Sequence, residues 1–203
     1  MDWQRLDRET TIKTIDSVKS ATDAGLFTLA TSEVQRARLS FYENLYLYKI
    51  TNFASLPSFT FEYLSDGTFF DYLDGTEQPI YTANDKTAFS LNDRNVLDYL
   101  DFFMSHVMFD DEDELFFIRD IRDMPLLDSL DSDSAYIVAK NHKPPEVSYD
   151  AGFDKYTVEA DIYSEGQMLR GIIDVTASGR VSIVSRKMIV NSVANSAGSG
   201  IMA

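Results

Sequence analysis

Over residues 90–108 the side chains Val96, Leu97, Leu100, Phe103, Met104, Val107 and Met108 recur at helical spacing and form one apolar stripe. A helix with such a stripe has to bury it, so the chain needs a second apolar layer. Strands can supply that layer. Residues 156–163, 168–176 and 181–190 are rich in Val, Ile and Tyr and are divided by Glu165-Gly166 and Ser178-Gly179. This pattern predicts a three-stranded antiparallel meander. Three short strands seldom stand alone, so the meander is expected to complete one sheet with strands from earlier in the chain.

Those earlier strands are expected at 37–53, 59–64, 68–73, 80–82, 115–121 and 135–139. Asp66-Gly67 between two aromatic-rich runs marks a hairpin. The 37–53 stretch carries two readings. Leu45 and Leu47 alternate with Tyr46 and Tyr48 as in a strand, while Leu39, Tyr42, Leu45 and Tyr46 also fit a helical period. A first helix is expected over 8–24, from Ile12, Ile15 and Val18, with Asp7 or Thr10 as cap and Gly25 at its end. Ser90-x-x-Asp93 resembles a capping box for the striped helix. The expected fold class is therefore α+β, an antiparallel sheet including the C-terminal meander packed against two or more helices. One domain over 1–194 is expected, with 141–152 as a linker-like stretch around Pro144-Pro145 and a small, Gly/Ser-rich flexible tail at 195–203.

Charge narrows the function classes. The 203 residues hold 33 acids against 18 bases, a formal net charge of -15. All of that excess lies in residues 62–133, where 19 acids meet 4 bases; the segments on either side are each balanced. The concentration points to a local cause, such as a surface for a basic partner. Direct nucleic-acid binding and polybasic membrane attachment are disfavoured, because phosphate backbones and anionic headgroups repel such a chain. No membrane contact is expected, and the oligomeric state is left open. The absence of cysteine removes disulfides, thiolate metal sites and thiol nucleophiles. With no apolar leader in the first residues, the expected location is the cytoplasm.

The candidate partner-binding residues are the consecutive acids Asp110, Asp111, Glu112, Asp113 and Glu114, directly after the striped helix. They lack the spacer residues and glycine of a cation loop, so no metal is assigned to them. Asp128, Asp131 and Asp133 show a fragment of calcium-loop spacing without its glycine or terminal glutamate, and read as an exposed turn. Of the two histidines, His106 is expected to pack at the border of the core and His142 to be solvated beside the prolines. Asp98 and Asp101 lie one turn apart on the polar face of the striped helix, with Arg94 as a partner for Asp98. No glycine-rich phosphate loop or nucleophile elbow occurs, so no catalytic residue and no cofactor is assigned. The leading expectation is a non-catalytic interaction protein whose acidic segment meets a basic surface. The alternatives are a small-molecule-binding or hydrolytic domain, with an aromatic-lined pocket between sheet and helix served by a carboxylate or His106, and a weaker calcium-responsive reading.

Overall fold

The structure is a computed structural model that describes residues 1–19, 26–109, 115–125, 127–164 and 166–191. It divides into two compact units, residues 1–90 and 91–203. The acids Asp110, Asp111, Glu112, Asp113 and Glu114, the end of the expected first helix at 20–24 and the expected tail at 195–203 lie outside the described residues.

In the first unit five strands pair antiparallel in chain order: β1 (Trp3–Arg5), β2 (Ser32–Arg38), β3 (Tyr46–Asn52), β4 (Phe59–Ser65) and β5 (Asp71–Tyr72). Register places Ile50 opposite Phe61 and Tyr48 opposite Tyr63, so the period-two alternation sends a ladder of rings to one face. There α1 (Arg8–Lys19) adds Ile15 and Val18, and Phe27 and Val34 complete the core. Leu47 and Leu64 point the other way and are fully buried. The expected strand at 37–53 is two strands with a break. Residues 39–45 leave the ladder and bury Leu39, Phe41, Tyr42 and Leu45, side chains of both parities that a strand with one solvated face would expose. Glu43 and Ser90 amides tie this loop to Ala88 and Phe41 carbonyls, and the Tyr42 hydroxyl donates to Asn84 Oδ1 at 2.5 Å.

The expected strand at 80–82 is helix α2 (Gln78–Lys86). Pro79 sits in its first turn, where a missing N–H costs nothing, and Ile80, Tyr81, Ala83 and Asn84 form its buried face. A proline placed at the helix start outweighs the β preference of Ile-Tyr-Thr. Gly67, at φ +95°, makes the hairpin turn between β4 and β5 as expected.

The second unit carries its own sheet, ordered β10-β9-β8-β6, so the strands of the described residues form two five-stranded sheets and not one. Its strands are β6 (Phe116–Ile118), β7 (Glu146–Asp150), β8 (Lys155–Ser164), β9 (Gln167–Thr176) and β10 (Val181–Asn191). The meander β8-β9-β10 stands where its turn glycines predict, Gly166 and Gly179 both having φ +81°. β6 and β7 share one edge of β8, β7 pairing with its first half and β6 with its second. β7 comes from the stretch read as a linker.

Helix α3 (Val96–His106) buries Val96, Tyr99, Leu100, Phe102, Phe103 and Met104, and Tyr99 donates from its hydroxyl to Gly179 O at 2.6 Å. It begins later than the sequence suggested, because Asn92 and Asn95 fold the preceding residues into side-chain-bonded turns. The run at 135–139 is not a strand but part of α4 (Ser132–Asn141). Asp131 caps it, accepting from the Asp133 and Ser134 amides at 3.0 and 2.9 Å. Val138 of α4 packs with Ile118, Met124, Tyr163 and Met168 on one sheet face. On the opposite face lie Val158, Ala160, Ile162, Ile173 and Val175. The end of β8 is therefore covered on both sides, which is why residues 160–164 are buried without alternation.

Candidate functional site

The described residues that bracket the acidic run are the end of α3 and the start of β6. They enclose a cavity of about 200 Å³ lined by Met104, Ser105, His106, Val107, Met108, Leu115 and Phe116. The helix ends here because Val107 turns extended while its amide still bonds Phe103 O. Met108, the last member of the sequence stripe, lies beyond that end and is 68 % exposed. His106 is half-buried: Nδ1 donates to Phe102 O at 2.6 Å and the imidazole lies against the Phe102 ring, centroids 4.5 Å apart. A backbone carbonyl only accepts, so Nδ1 carries a proton in this contact. The lining is apolar apart from His106 and Ser105, and its one phenyl ring is Phe116. At this volume it suits a fragment-sized group and falls below the usual range of ligand pockets, roughly 300–1,000 Å³.

Two ion pairs are made by the arginines that follow β6. Arg119, following β6, bonds Asp98 of α3 at 2.7 Å. Asp120 accepts from Arg122 Nε at 2.8 Å, Nη2 at 2.6 Å and the Arg122 amide at 3.0 Å, which holds its carboxyl well below the ordinary carboxylate range. Asp101 behaves oppositely. Burial pushes its carboxyl above the ordinary value, against the pull of Arg119. A raised folded pKa means that protonation favours the folded state at low pH and that this gain is lost as pH rises through the folded value. Asp101→Asn is therefore expected to raise the urea midpoint at neutral pH and, by removing the acid-side gain, to make stability fall more steeply as the pH is lowered. A lower midpoint at neutral pH would contradict the burial argument.

A second polar centre was not visible in the sequence. Asp161, on β8, is 0 % exposed. Its Oδ1 accepts from Arg170 Nε at 2.6 Å, and its Oδ2 accepts from His142 Nδ1 and the Lys143 amide, each at 2.9 Å. Arg170 also reaches Asn141 O and Glu159. His142, expected in solvent, is thus largely buried against a carboxylate. A histidine oriented by an aspartate is half of a hydrolytic triad. Here the same carboxylate also holds a guanidinium and a backbone amide, so the arrangement locks the end of α4 onto β8 and β9. The available sequence signal was a charged residue, Asp161, between the apolar Ala160 and Ile162 of a strand run.

The remaining candidates separate. Asp131 is a helix cap, and its carboxyl is held low by the Ser134 amide and hydroxyl. Among the described residues no three His, Cys, Asp or Glu side chains cluster as metal ligands, and no helix is long and apolar enough to cross a membrane. Comparison with protein families, with curated proteins and with solved structures finds no match to this chain.

Proposed function

We propose that the protein is a non-catalytic interaction protein whose acidic segment binds a basic partner surface, with the second unit supplying most of the charge. The observation that carries this reading is the distribution of acids over the two units. Residues 62–90 bring six acids and one base, and residues 91–133 bring 13 acids and three bases, whereas residues 134–203 are balanced. Three bases cannot neutralise 13 acids. The described carboxylates of 91–133 are all at least partly exposed, and Asp98 and Asp120 already engage Arg119 and Arg122. Such a surplus repels anions and speeds the approach of a cationic surface.

The test is capture from native lysate at low and high salt. The wild type is expected to retain, at low salt only, basic proteins that the variant Asp110→Asn, Asp111→Asn, Glu112→Gln, Asp113→Asn, Glu114→Gln loses. Identical retention by both would overturn the reading. The cavity beside His106 favours a second reading, binding of a small apolar group with one polar end. Fragment screening by NMR, with shifts confined to Met104, Met108 and Phe116, would favour that one.

A further inference from the structure

The cavity at the end of α3 and the charge carried by the chain around it call for one kind of ligand. Its walls hold no carboxylate, lysine or arginine: Met104 to Met108 come from one side of the acidic run, and Leu115 and Phe116 from the other. Met108, at 68 % exposed, and Phe116, at 36 %, also face solvent, so apolar surface extends outward from the cavity. At about 200 Å³ the space exceeds the roughly 150 Å³ that holds a benzene molecule, and it falls short of the range for whole ligands. One large apolar side chain fits it. Met104 and Met108 suit such a guest, because an unbranched thioether adapts its shape and makes favourable contact with a ring.

The flanking chain has a single sign. Residues 98–120 hold eight acids and one base, Arg119, which is bonded to Asp98. Asp101 lies one turn before Ser105 on the same helix face, its carbonyl accepting from the Ser105 hydroxyl at 2.7 Å. The acids Asp110 to Glu114 stand within three residues of Met108 or Leu115, so covalent connection keeps the backbone of each within about 11 Å of a wall residue. That reach is close to the screening length of about 8–10 Å at physiological salt. A cation fixed beside an apolar group in the cavity therefore feels these carboxylates.

We propose that the cavity seats one phenylalanine-sized apolar side chain of the basic partner, with Lys or Arg on either side of it held by the acidic surround. Resting on the reading of a basic partner, the anchor adds what charge alone lacks: charge speeds encounter, whereas a buried apolar anchor carries much of the affinity. A free metabolite is disfavoured by the volume, an anionic ligand by the carboxylates, and a second copy of this chain by its own charge of -15.

The experiment titrates the full chain, methyl-labelled at methionine, with a synthetic peptide carrying one phenylalanine between pairs of lysines and arginines. The same peptide with alanine in place of the phenylalanine is the comparison. At low salt the phenylalanine peptide is expected to bind about tenfold or more tighter and to shift the Met104 and Met108 methyls. Salt should weaken both peptides alike, so that the preference persists. Ser105→Leu, at an exposed helix position that lines the cavity, is expected to erase the preference while leaving the thermal melt unchanged. Equal binding of the two peptides by the wild type, or an undiminished preference in Ser105→Leu, overturns the anchor and leaves the basic-partner reading intact. Equal binding of the phenylalanine peptide by the wild type and by the variant neutralised at Asp110 to Glu114 overturns both. Binding of neither peptide also overturns the proposal, and methyl shifts with benzyl alcohol in that case would assign the cavity to a small molecule.

Discussion

Asp161→Ala is expected to lower the stability of the second unit by about 3–5 kcal/mol, the cost of removing one member of a buried ion pair. The loss does not come from the missing carboxylate alone. Arg170 keeps a buried guanidinium with its Nε donor unanswered, and the Lys143 amide and His142 Nδ1 lose their acceptor. Because those donors sit on the end of α4 and on β9, the variant should also loosen α4, read as faster hydrogen exchange at Val138 and Ala139. In thermal terms the shift is on the order of 10 °C or more. Glu159→Gln is the control: Glu159 is exposed and lies 3.7 Å from Arg170, so its neutral variant should differ from wild type by less than about 1 kcal/mol. Urea unfolding compares the three proteins, and an Asp161→Ala loss as small as that of Glu159→Gln would remove the locking role.

Phe103→Ala is expected to destabilise by a similar amount, about 3–5 kcal/mol, for a different reason. Phe103 is 1 % exposed in the middle of α3, beside Tyr99 and Phe109 with ring centroids at 6.1 and 6.3 Å. Truncation removes transfer energy and leaves a void that neighbours on a two-sided helix cannot close: Leu100 and Phe102, at 0 % exposure, are already packed. Phe103→Leu, which keeps most of the volume, should cost about 1.5 kcal/mol or less. Equal urea midpoints for the alanine and leucine variants would show that this part of the core is loosely packed. Neither substitution touches a charge, so salt-dependent partner capture should persist wherever the variant remains folded.

Much of the second unit was legible in its residues. The three meander strands follow from β-branched runs ended by glycines at positive φ, a local signal that neighbours do not change. The α3 stripe was partly legible. It named Val96, Leu100, Phe103 and Met104, all buried, but included Met108, which lies past the helix end, and omitted Tyr99 and Phe102, which are buried on another side. A stripe describes a helix with one covered face, and α3 is covered on more than one. The errors at 80–82 and 135–139 share a cause. Ile-Tyr-Thr and Ala-Tyr-Ile-Val-Ala favour a strand by composition, yet Pro79 in the first turn of α2 and the Asp131 cap of α4 mark helix starts just before them, and these local start signals outweigh a weak side-chain preference.

The site was less legible. The acidic run was plain in the sequence, but the cavity at its root depends on where α3 stops and β6 begins. Asp161, His142 and Arg170 stand 19, 28 and 9 residues apart in their pairs, so only strand register and the seating of α4 bring them to bonding distance. The adjacency of the loops before β2 and after β3 needed the same kind of information, since only the β2–β3 ladder brings them together.

What the sequence by itself determined is what local physics controls: the class α+β, the meander and its turns, the presence of a buried helix near residue 100, and an excess of acid confined to 62–133. The tertiary structure decided the partition of the strands into two sheets, the helical state of 78–86 and 132–141, the burial of Asp161 and the adjacency of the loops before β2 and after β3. Those outcomes depend on contacts between residues far apart in the chain, whose free energies appear only once the backbone has brought them together.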